Sequence, residues 1–139
     1  MVLLYVDDDS DDLELLADCV SSIDPTIQCL LFQRSPEAMA YLKGTTVLPD
    51  FIFLDINMPL MNGKQCLQEI RRSQALKQLP VIMYTTSNEE REIKECYKLG
   101  ASDFLIKPSN INELLNGLTA IFENHRNERL KVQASIKDL

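Results

Sequence analysis

Five short runs of apolar residues recur along the chain, each rich in β-branched, aromatic or leucine side chains. They cover residues 2–6, 27–32, 51–54, 81–84 and 104–106. The first, third and fourth runs are apolar throughout, which is typical of parallel strands covered on both faces. The second run contains Gln28 and therefore suits a more exposed edge. The pattern predicts five β-strands.

Between these runs, apolar residues recur with the spacing of an α-helix. In the first interval, apolar residues recur at i, i+3, i+4 and i+7, which places them on one helix face. These residues are Leu13, Leu16, Ala17 and Val20. After the fifth run the same spacing continues for three turns, at Ile111, Leu114, Leu115, Leu118, Ile121 and Phe122. Strands and helices therefore alternate.

Helix-end signals support these boundaries. They are an N-cap followed by proline, two capping boxes and a C-terminal glycine. The residues are Ser35-Pro36, Ser87 with Glu90, Asn110 with Glu113, and Gly100. Five β-α repeats in 139 residues predict one α/β domain with a parallel sheet and helices on both faces. We expect the domain to cover residues 1–123, and residues 124–139 to form a polar tail or an extension of the last helix.

Composition narrows the functional classes. The formal net charge of −7 argues against a nucleic-acid groove, because phosphate binding needs clustered Lys and Arg. No apolar run approaches the ~18 residues of a membrane helix, and the first run leads directly into acidic residues, unlike a signal peptide. The four cysteines include no Cys-x-x-Cys motif and lie in apolar segments, so we expect reduced, buried thiols in a cytoplasmic protein. The single histidine, His125, excludes a multi-histidine metal site and is expected to be solvated.

Polar residues with metal-binding or phosphate-binding chemistry follow four of the predicted strands. They are Asp7 and Asp8, Asp55, Thr85, and Lys107. In an open α/β sheet, ligands bind at the carboxyl ends of the strands. Two carboxylates ~4 Å apart repel by roughly 4 kcal/mol at an effective dielectric of 20, and a hard cation such as Mg²⁺ removes that repulsion. Carboxylates, metal, ammonium and hydroxyl together indicate phosphoryl transfer to an aspartate.

Other interpretations account for parts of this pattern. Asp9, Asp11 and Asp12 are interpreted as a solvated turn or helix start. A phosphatase of the haloacid dehalogenase type also uses an aspartate after a strand, but its second acid is replaced here by Asn57. A calcium-binding loop beginning at Asp7 lacks the required glycine and glutamate. An interaction module that binds partners without being phosphorylated finds no support, because the carboxylates, the hydroxyl and the ammonium are all present.

Four segments carry a family resemblance, at residues 3–8, 50–63, 80–86 and 100–108. They are similar, in order, to the motifs of the receiver domain of a two-component response regulator, of the single-domain type found in chemotaxis. The resemblance covers residues 1 to about 123. It implies a flavodoxin-like (βα)₅ fold, a three-layer sandwich whose parallel sheet has the strand order 2-1-3-4-5.

The resemblance also implies site roles. Asp55 would be the phosphoacceptor, and Thr85 and Lys107 would bind the phosphoryl group. Mg²⁺ would be bound by Asp8 directly, by Asp7 through water, by Asp55 and by the backbone carbonyl of Asn57. These roles would make the protein a self-phosphorylating signalling switch rather than a turnover enzyme.

The switch itself follows from the same resemblance. Thr85 would move when phosphate arrives, and Phe104 would turn inward as it does so. The bond from Lys107 to Pro108 is expected to be cis. The readout face would comprise helix four, strand five and helix five, around Arg91, Lys94 and Lys98.

The partners implied are a sensor histidine kinase or histidine phosphotransfer protein upstream, and a protein target downstream. Direct DNA binding is not expected, because only about 16 residues remain after the fifth helix. Membrane binding is not expected either, because no apolar run approaches the ~18 residues of a membrane helix. The Thr-Thr-Ser sequence at residues 85–87 is similar to that of receivers paired with photoreceptor or hybrid kinases.

Overall fold

The computed structural model describes residues 1–137, with side chains described through residue 128, and its elements alternate strictly between strand and helix. The strands are β1 (Val2–Val6), β2 (Gln28–Phe32), β3 (Phe51–Leu54), β4 (Val81–Thr85) and β5 (Asp103–Ile106). The helices are α1 (Ser10–Ile23), α2 (Ser35–Gly44), α3 (Gly63–Arg72), α4 (Glu90–Lys98) and α5 (Ile111–Lys137). All five predicted strands are present, and their bounds differ from the prediction by one residue at most.

The five strands form one parallel sheet in the order β2-β1-β3-β4-β5, which confirms the predicted flavodoxin-like topology. β1 lies between β2 and β3, so the chain reverses direction across the sheet after β2. This reversal opens a crevice at the carboxyl ends of β1 and β3, where open α/β sheets bind their ligands. β2 is an edge strand with partly exposed side chains, as Gln28 indicated.

Alternate strand residues face two separate helical layers, because successive side chains of a strand point to opposite faces. On one face, Leu3, Tyr5 and Phe53 pack with α1 and α5. On the other face, Leu4 and Leu54 pack with α2, α3 and α4. β1, β3 and β4 are buried on both sides, which explains why their sequences show no alternation.

Of the four predicted helix signals, the terminal glycine is confirmed and the Ser87 box is wrong; the other two are confirmed in part, since Asn110 makes the N-cap bond of its box and Pro36 lies in the first turn of α2. Asn110 Oδ1 accepts the N–H of Glu113 at 2.9 Å, and Gly100 ends α4 with φ at +108°. Ser35 does not cap α2: it lies inside the helix, is buried, and donates to the Met61 carbonyl at 2.6 Å. Ser87 does not form a box with Glu90, because its hydroxyl pairs with Glu92 instead.

Two side chains of α5 have surroundings that differ from the sequence prediction. His125 is not simply solvated, since its ring packs against Phe51 with centroids 4.4 Å apart. Ile111 shares the apolar face of α5 by its spacing, but it is the first residue of the helix and is 56% exposed. The cysteines are free thiols, and all are buried except the half-buried Cys29.

α5 continues as one helix past residue 123 as far as Lys137. Residues 138–139 lie outside the described residues, and the division into a domain at 1–123 and a tail at 124–139 stays a prediction. Among the described helices, none combines the length and hydropathy that a membrane span requires.

Candidate functional site

The ends of β1 and β3 bring two aspartates to adjacent positions. In the parallel register Val6 pairs with Leu54, so Asp7 and Asp55 are the next residues on neighbouring strands. The backbone N–H of Asp55 donates to the Val6 carbonyl at 3.1 Å, which continues the ladder one residue beyond β3. The sheet itself therefore fixes the spacing of these two carboxylates.

Asp7 is fully buried, and three donors orient its carboxylate. The Tyr5 hydroxyl donates to Oδ2 at 2.5 Å, and Lys107 Nζ donates to the same oxygen at 2.7 Å. The backbone N–H of Asp9 donates to Oδ1 at 3.0 Å. Burial, and then the hydrogen bond to Asp7, raise the pKa of Tyr5 well above its ordinary value, so the phenol remains a donor. Protein donors thus occupy both carboxylate oxygens of Asp7.

Lys107 follows β5, and its ammonium lies among three carboxylates. Nζ is 2.7 Å from Asp7 Oδ2, 2.8 Å from Asp12 Oδ2 and 3.5 Å from Asp55 Oδ2. It also lies 5.5 Å from the centre of the Tyr84 ring. Burial lowers the pKa of Lys107, but hydrogen bonds to Asp12 and Asp7 and the charge of Asp55 outweigh it and raise the pKa overall. The site therefore holds a permanent cation.

The Asp55 side chain is only 10% exposed. Its Oδ1 accepts the N–H of Ile56 at 2.8 Å. Burial, followed by the charge of Asp7, raises the pKa of Asp55 above its ordinary value, and Lys107 opposes this rise. Oδ2 faces Lys107 across the long 3.5 Å contact, so this oxygen is available for chemistry.

The acidic cluster has the donors that a divalent cation needs. Asp7, Asp8 and Asp55 each present a carboxylate oxygen, and these oxygens lie within 4.8 Å of one another. Asp8 is exposed, so the cluster is open to solvent on one side. Mg²⁺ prefers carboxylate, carbonyl and water oxygens in such a setting, and the residues therefore fit this ion. Asn57 is exposed two residues beyond Asp55, and a role for its carbonyl stays a prediction.

Thr85, at the end of β4, carries an unsatisfied group. Its side chain is fully buried, and Oγ1 makes no hydrogen bond of good geometry among the described residues, although its interaction with Asp55 lowers the pKa of that carboxyl. Leaving a buried hydroxyl unpaired costs about 1–3 kcal/mol, so such a group calls for a ligand or water. The backbone N–H of Lys107 donates to the Thr85 carbonyl at 2.7 Å, which keeps the ends of β4 and β5 together. Phe104, the predicted switch residue, is half-buried against the core.

The bond between Lys107 and Pro108 is trans, as are all peptide bonds in the described part of the chain. The expected cis bond is therefore wrong. Before proline the trans form is favoured by about 0.5–1 kcal/mol. Lys107 reaches all three carboxylates from the trans form, so its contacts do not require the cis form.

Sequence reasoning missed two residues of this network. Asp12 was interpreted as part of a solvated helix start, yet its carboxylate pairs with Lys107. Its position gave a signal, because it precedes the buried Leu16 by four residues and so shares the inward face of α1. Tyr5 precedes Asp7 by two residues in a strand, which puts both side chains on one face of the sheet.

Gly63 was also missed as a site residue. A Cβ at this position would lie 2.1 Å from the carbonyl oxygen of Asp55, so only glycine fits. The N–H of Gly63 donates to the Ile56 carbonyl at 2.8 Å, and Asn62 caps α3 through a box with Gln65. The start of α3 therefore packs directly on the backbone that carries Asp55.

Comparison with known families decides what kind of domain this is. The sequence matches the description "Response regulator receiver domain" over residues 3–119, most of the chain. The chain belongs to this family. It is the receiver domain of a two-component response regulator, and such receivers are signalling switches rather than turnover enzymes. Membership implies histidine kinases or phosphotransfer proteins as partners.

Individual relatives agree with the receiver assignment. Response regulator Rcp1 from Synechocystis sp. is 28% identical over 125 residues, covering 86% of this chain and 85% of Rcp1. The crystal structure of the Mn(2+)-bound form of Rcp1 has a TM-score of 0.77 at 28% identity, covering 86% of this chain and 90% of that one. The phosphorylated cyanobacterial phytochrome response regulator RcpA gives 0.80 at 28% identity, covering 88% and 91%.

A plant relative matches only in part. Two-component response regulator-like APRR1 from Arabidopsis thaliana is 39% identical over 77 residues, which are 55% of this receiver. The receiver spans 12% of the length of APRR1.

Proposed function

We propose that Asp55 accepts a phosphoryl group from a phosphohistidine on a sensor histidine kinase or a histidine phosphotransfer protein, in a Mg²⁺-dependent reaction. The observation that carries this proposal is the setting of the Asp55 carboxylate. It is nearly buried, faces the Lys107 ammonium at 3.5 Å, and lies in a cluster of carboxylate oxygens beside the buried Thr85 hydroxyl, which makes no well-formed hydrogen bond. Clustered carboxylates repel one another, so stability alone does not explain why these groups are brought together.

The phosphoryl group is transferred by a displacement at phosphorus. Oδ2 of Asp55 attacks the phosphorus atom and forms a new P–O bond while the P–N bond of phosphohistidine breaks. The electron pair of the P–N bond stays with the imidazole nitrogen, and Asp55 becomes an acyl phosphate. Lys107 would neutralise one phosphoryl oxygen, and the Thr85 hydroxyl would donate to another.

A bound Mg²⁺ would neutralise negative charge on the transferred group. The residues that would hold it are Asp8, Asp7 through water, Asp55 and the carbonyl of Asn57. The fit rests on the three carboxylate oxygens within 4.8 Å and on the exposure of Asp8. The relative Rcp1 has been crystallised in a Mn(2+)-bound form, which supports a divalent metal in this receiver.

Phosphorylation would switch a protein-interaction face. It adds about −1.5 to −2 charges beside Lys107. Thr85 is drawn towards the phosphate and leaves space that Phe104 enters. The face that reports this change comprises α4, β5 and α5, where Arg91, Lys94 and Lys98 are exposed. Its downstream partner would be a protein.

The upstream partner would be a histidine kinase of a photoreceptor or hybrid type. The Thr-Thr-Ser sequence at residues 85–87 resembles receivers paired with such kinases. The relative RcpA is a phytochrome response regulator by its title, and its phosphorylated form has been crystallised. A phytochrome-type kinase is therefore the first donor to test.

The proposal is tested by incubation with acetyl phosphate and Mg²⁺, followed by intact-mass spectrometry. We expect the wild type to gain one phosphoryl group, and EDTA to prevent the gain. Asp55→Asn should not be labelled, because an amide oxygen is a poor nucleophile. Asp18→Asn, an exposed aspartate of α1, is the matched control and should be labelled like the wild type. Equal labelling of the wild type and Asp55→Asn would refute the assignment.

A further inference from the structure

The Lys107 ammonium lies closer to two other carboxylates than to Asp55, the proposed phosphoacceptor. Its ammonium makes short contacts to Asp7 and Asp12, at 2.7 and 2.8 Å, whereas Asp55 is 3.5 Å away. An ammonium has three N–H donors, and two of them are already used by these short contacts. A phosphoryl group on Asp55 that recruits Lys107 must therefore compete with at least one existing partner.

The two short partners of Lys107 differ in how easily they release it. Asp7 is fully buried and keeps the Tyr5 hydroxyl and the Asp9 N–H as donors if Lys107 moves. Asp12 has a side chain that is 34% exposed, and Lys107 is its side-chain partner in the described contacts. Water can solvate Asp12 once the ammonium leaves, so the contact between Asp12 and Lys107 is the one that can be exchanged for phosphate.

We infer that Asp12 is a positioning residue: its carboxylate keeps the Lys107 ammonium away from Asp55 until a phosphoryl group on Asp55 replaces Asp12 as the partner of Lys107. This inference rests on the proposed function of Asp55. Asp12 lies in the first turn of α1, and Lys107 lies in the segment between β5 and α5. Loss of their contact on phosphorylation therefore releases a cross-link between those two elements.

The alternative is a purely structural role, in which Asp12 only stabilises the start of α1 through the helix dipole, as acidic residues of a first turn do. Asp11 provides the comparison, because it lies in the same turn, is exposed, and makes no side-chain contact with Lys107 in the described residues. A helix-dipole effect, or a general charge effect, would be shared by both residues. A positioning effect belongs to Asp12 alone and passes through Lys107.

The test measures the affinity for beryllium fluoride, a mimic of the phosphoryl group, at saturating Mg²⁺ by ¹⁹F NMR. Asp12→Asn should bind it about two- to fivefold more tightly than the wild type, the range set by a partly exposed ion pair. Asp12→Glu, which retains a carboxylate, should lie between the two. Asp11→Asn removes the same charge and should bind like the wild type.

A double-mutant cycle then asks whether the effect passes through Lys107. In a Lys107→Gln background, Asp12→Asn should no longer change the affinity, because the group it positions is gone. The ammonium ¹H–¹⁵N signals of Lys107 in the ligand-free protein provide a second readout. They should shift in Asp12→Asn and stay in place in Asp11→Asn.

Each outcome separates the two hypotheses. If the wild type does not bind beryllium fluoride, the proposed function fails and this inference fails with it. If the wild type binds it but Asp12→Asn and Asp11→Asn have equal affinities, the inference fails and the proposed function stands. An effect of Asp12→Asn that persists in Lys107→Gln would also overturn the inference, because it would not involve the lysine.

Discussion

Asp55 combines burial with a neighbouring carboxylate, and both disfavour its ionised form. Its carboxylate shares a cluster with Asp7, whose orientation depends on the buried hydroxyl of Tyr5. Lys107 offsets part of this cost, but it is closer to Asp7 and Asp12 than to Asp55. Of the three carboxylates that Lys107 contacts, that of Asp55, the proposed phosphoacceptor, therefore has the longest contact with the ammonium.

The metal-free protein should consequently become more stable when Asp55 loses its charge. The pKa of folded Asp55 lies above the ordinary value of 3.8, so folding favours the protonated acid. Its stabilising contribution is fully present below the ordinary value and is lost as the pH rises through the folded pKa. In EDTA at pH 7, Asp55→Asn should therefore require more urea to unfold than the wild type.

The pH dependence provides the control for this prediction. The advantage of Asp55→Asn should shrink as the pH is lowered through the raised pKa of Asp55, because the wild type then takes up its proton. Asp18→Asn, which is exposed on α1, should show no comparable trend. A metal-free Asp55→Asn variant that is less stable than the wild type at pH 7 would contradict this description of the site.

At the scale of the elements, the start of α3 packs against the backbone of Asp55, the proposed phosphoacceptor. A methyl group at Gly63 would lie 2.1 Å from the Asp55 carbonyl oxygen and 2.9 Å from Ile56 Cα, and both are backbone atoms that cannot turn aside. The helix start and the β3 end therefore form one unit. The turn chemistry of Asn62 and Gly63 was visible in the sequence, but the approach to Asp55 depends on the packing angle of α3.

Gly63→Ala should destabilise the protein by about 1–3 kcal/mol or more, the usual cost of forcing extra volume into a packed site. It should also slow labelling by acetyl phosphate, since the backbone of Asp55 must shift. Urea unfolding and the labelling time course measure the two effects. Gly44→Ala is the control, because a Cβ there meets nothing within 4 Å. Equal stability of the two variants would contradict the predicted clash.

Helix ends show where local sequence is enough and where it is not. Asn110 caps α5 as its sequence indicated, because the bond to Glu113 is made inside one turn. Ser35 and Ser87 carry similar local signals, but tertiary contacts take their hydroxyls to Met61 and Glu92. Where a side chain can bond either to its own helix end or to a distant residue, sequence spacing alone does not identify its hydrogen-bond partner.

At the scale of the whole molecule, topology explains why the convergence of the acids could be predicted. All strands of a parallel sheet have their carboxyl ends at the same edge, so the ends of β1, β3, β4 and β5 lie together. The residues at these ends are Asp7, Asp55, Thr85 and Lys107. The same reasoning could not show that Lys107 binds Asp12, because that contact depends on the rotation of α1. The chemical roles of these residues stay predictions until they are tested.

The balance of charge at this edge leads to a prediction about metal. Four carboxylates and one ammonium lie at this edge: Asp7, Asp12 and Asp55 contact Lys107, and Asp8 belongs to the acidic cluster with Asp7 and Asp55. A cation that binds the folded state at tenfold above its Kd adds about 1.4 kcal/mol of stability. Mg²⁺ should therefore raise the melting temperature by roughly 3–11 °C in calorimetry, since 1 kcal/mol is worth about 2–8 °C in domains near this size. Asp8→Asn should reduce the rise, and an unchanged wild type would argue against a metal site.

The most direct test of the central claim is to locate the acyl phosphate on the chain. After treatment with acetyl phosphate and Mg²⁺, borohydride reduces an aspartyl phosphate to homoserine, and peptide mass spectrometry identifies the modified position. We predict homoserine at residue 55 and unmodified aspartate at positions 7, 8 and 12. Homoserine at another aspartate, or none in a sample whose intact mass shows a phosphoryl group, would contradict Asp55 as the phosphoacceptor.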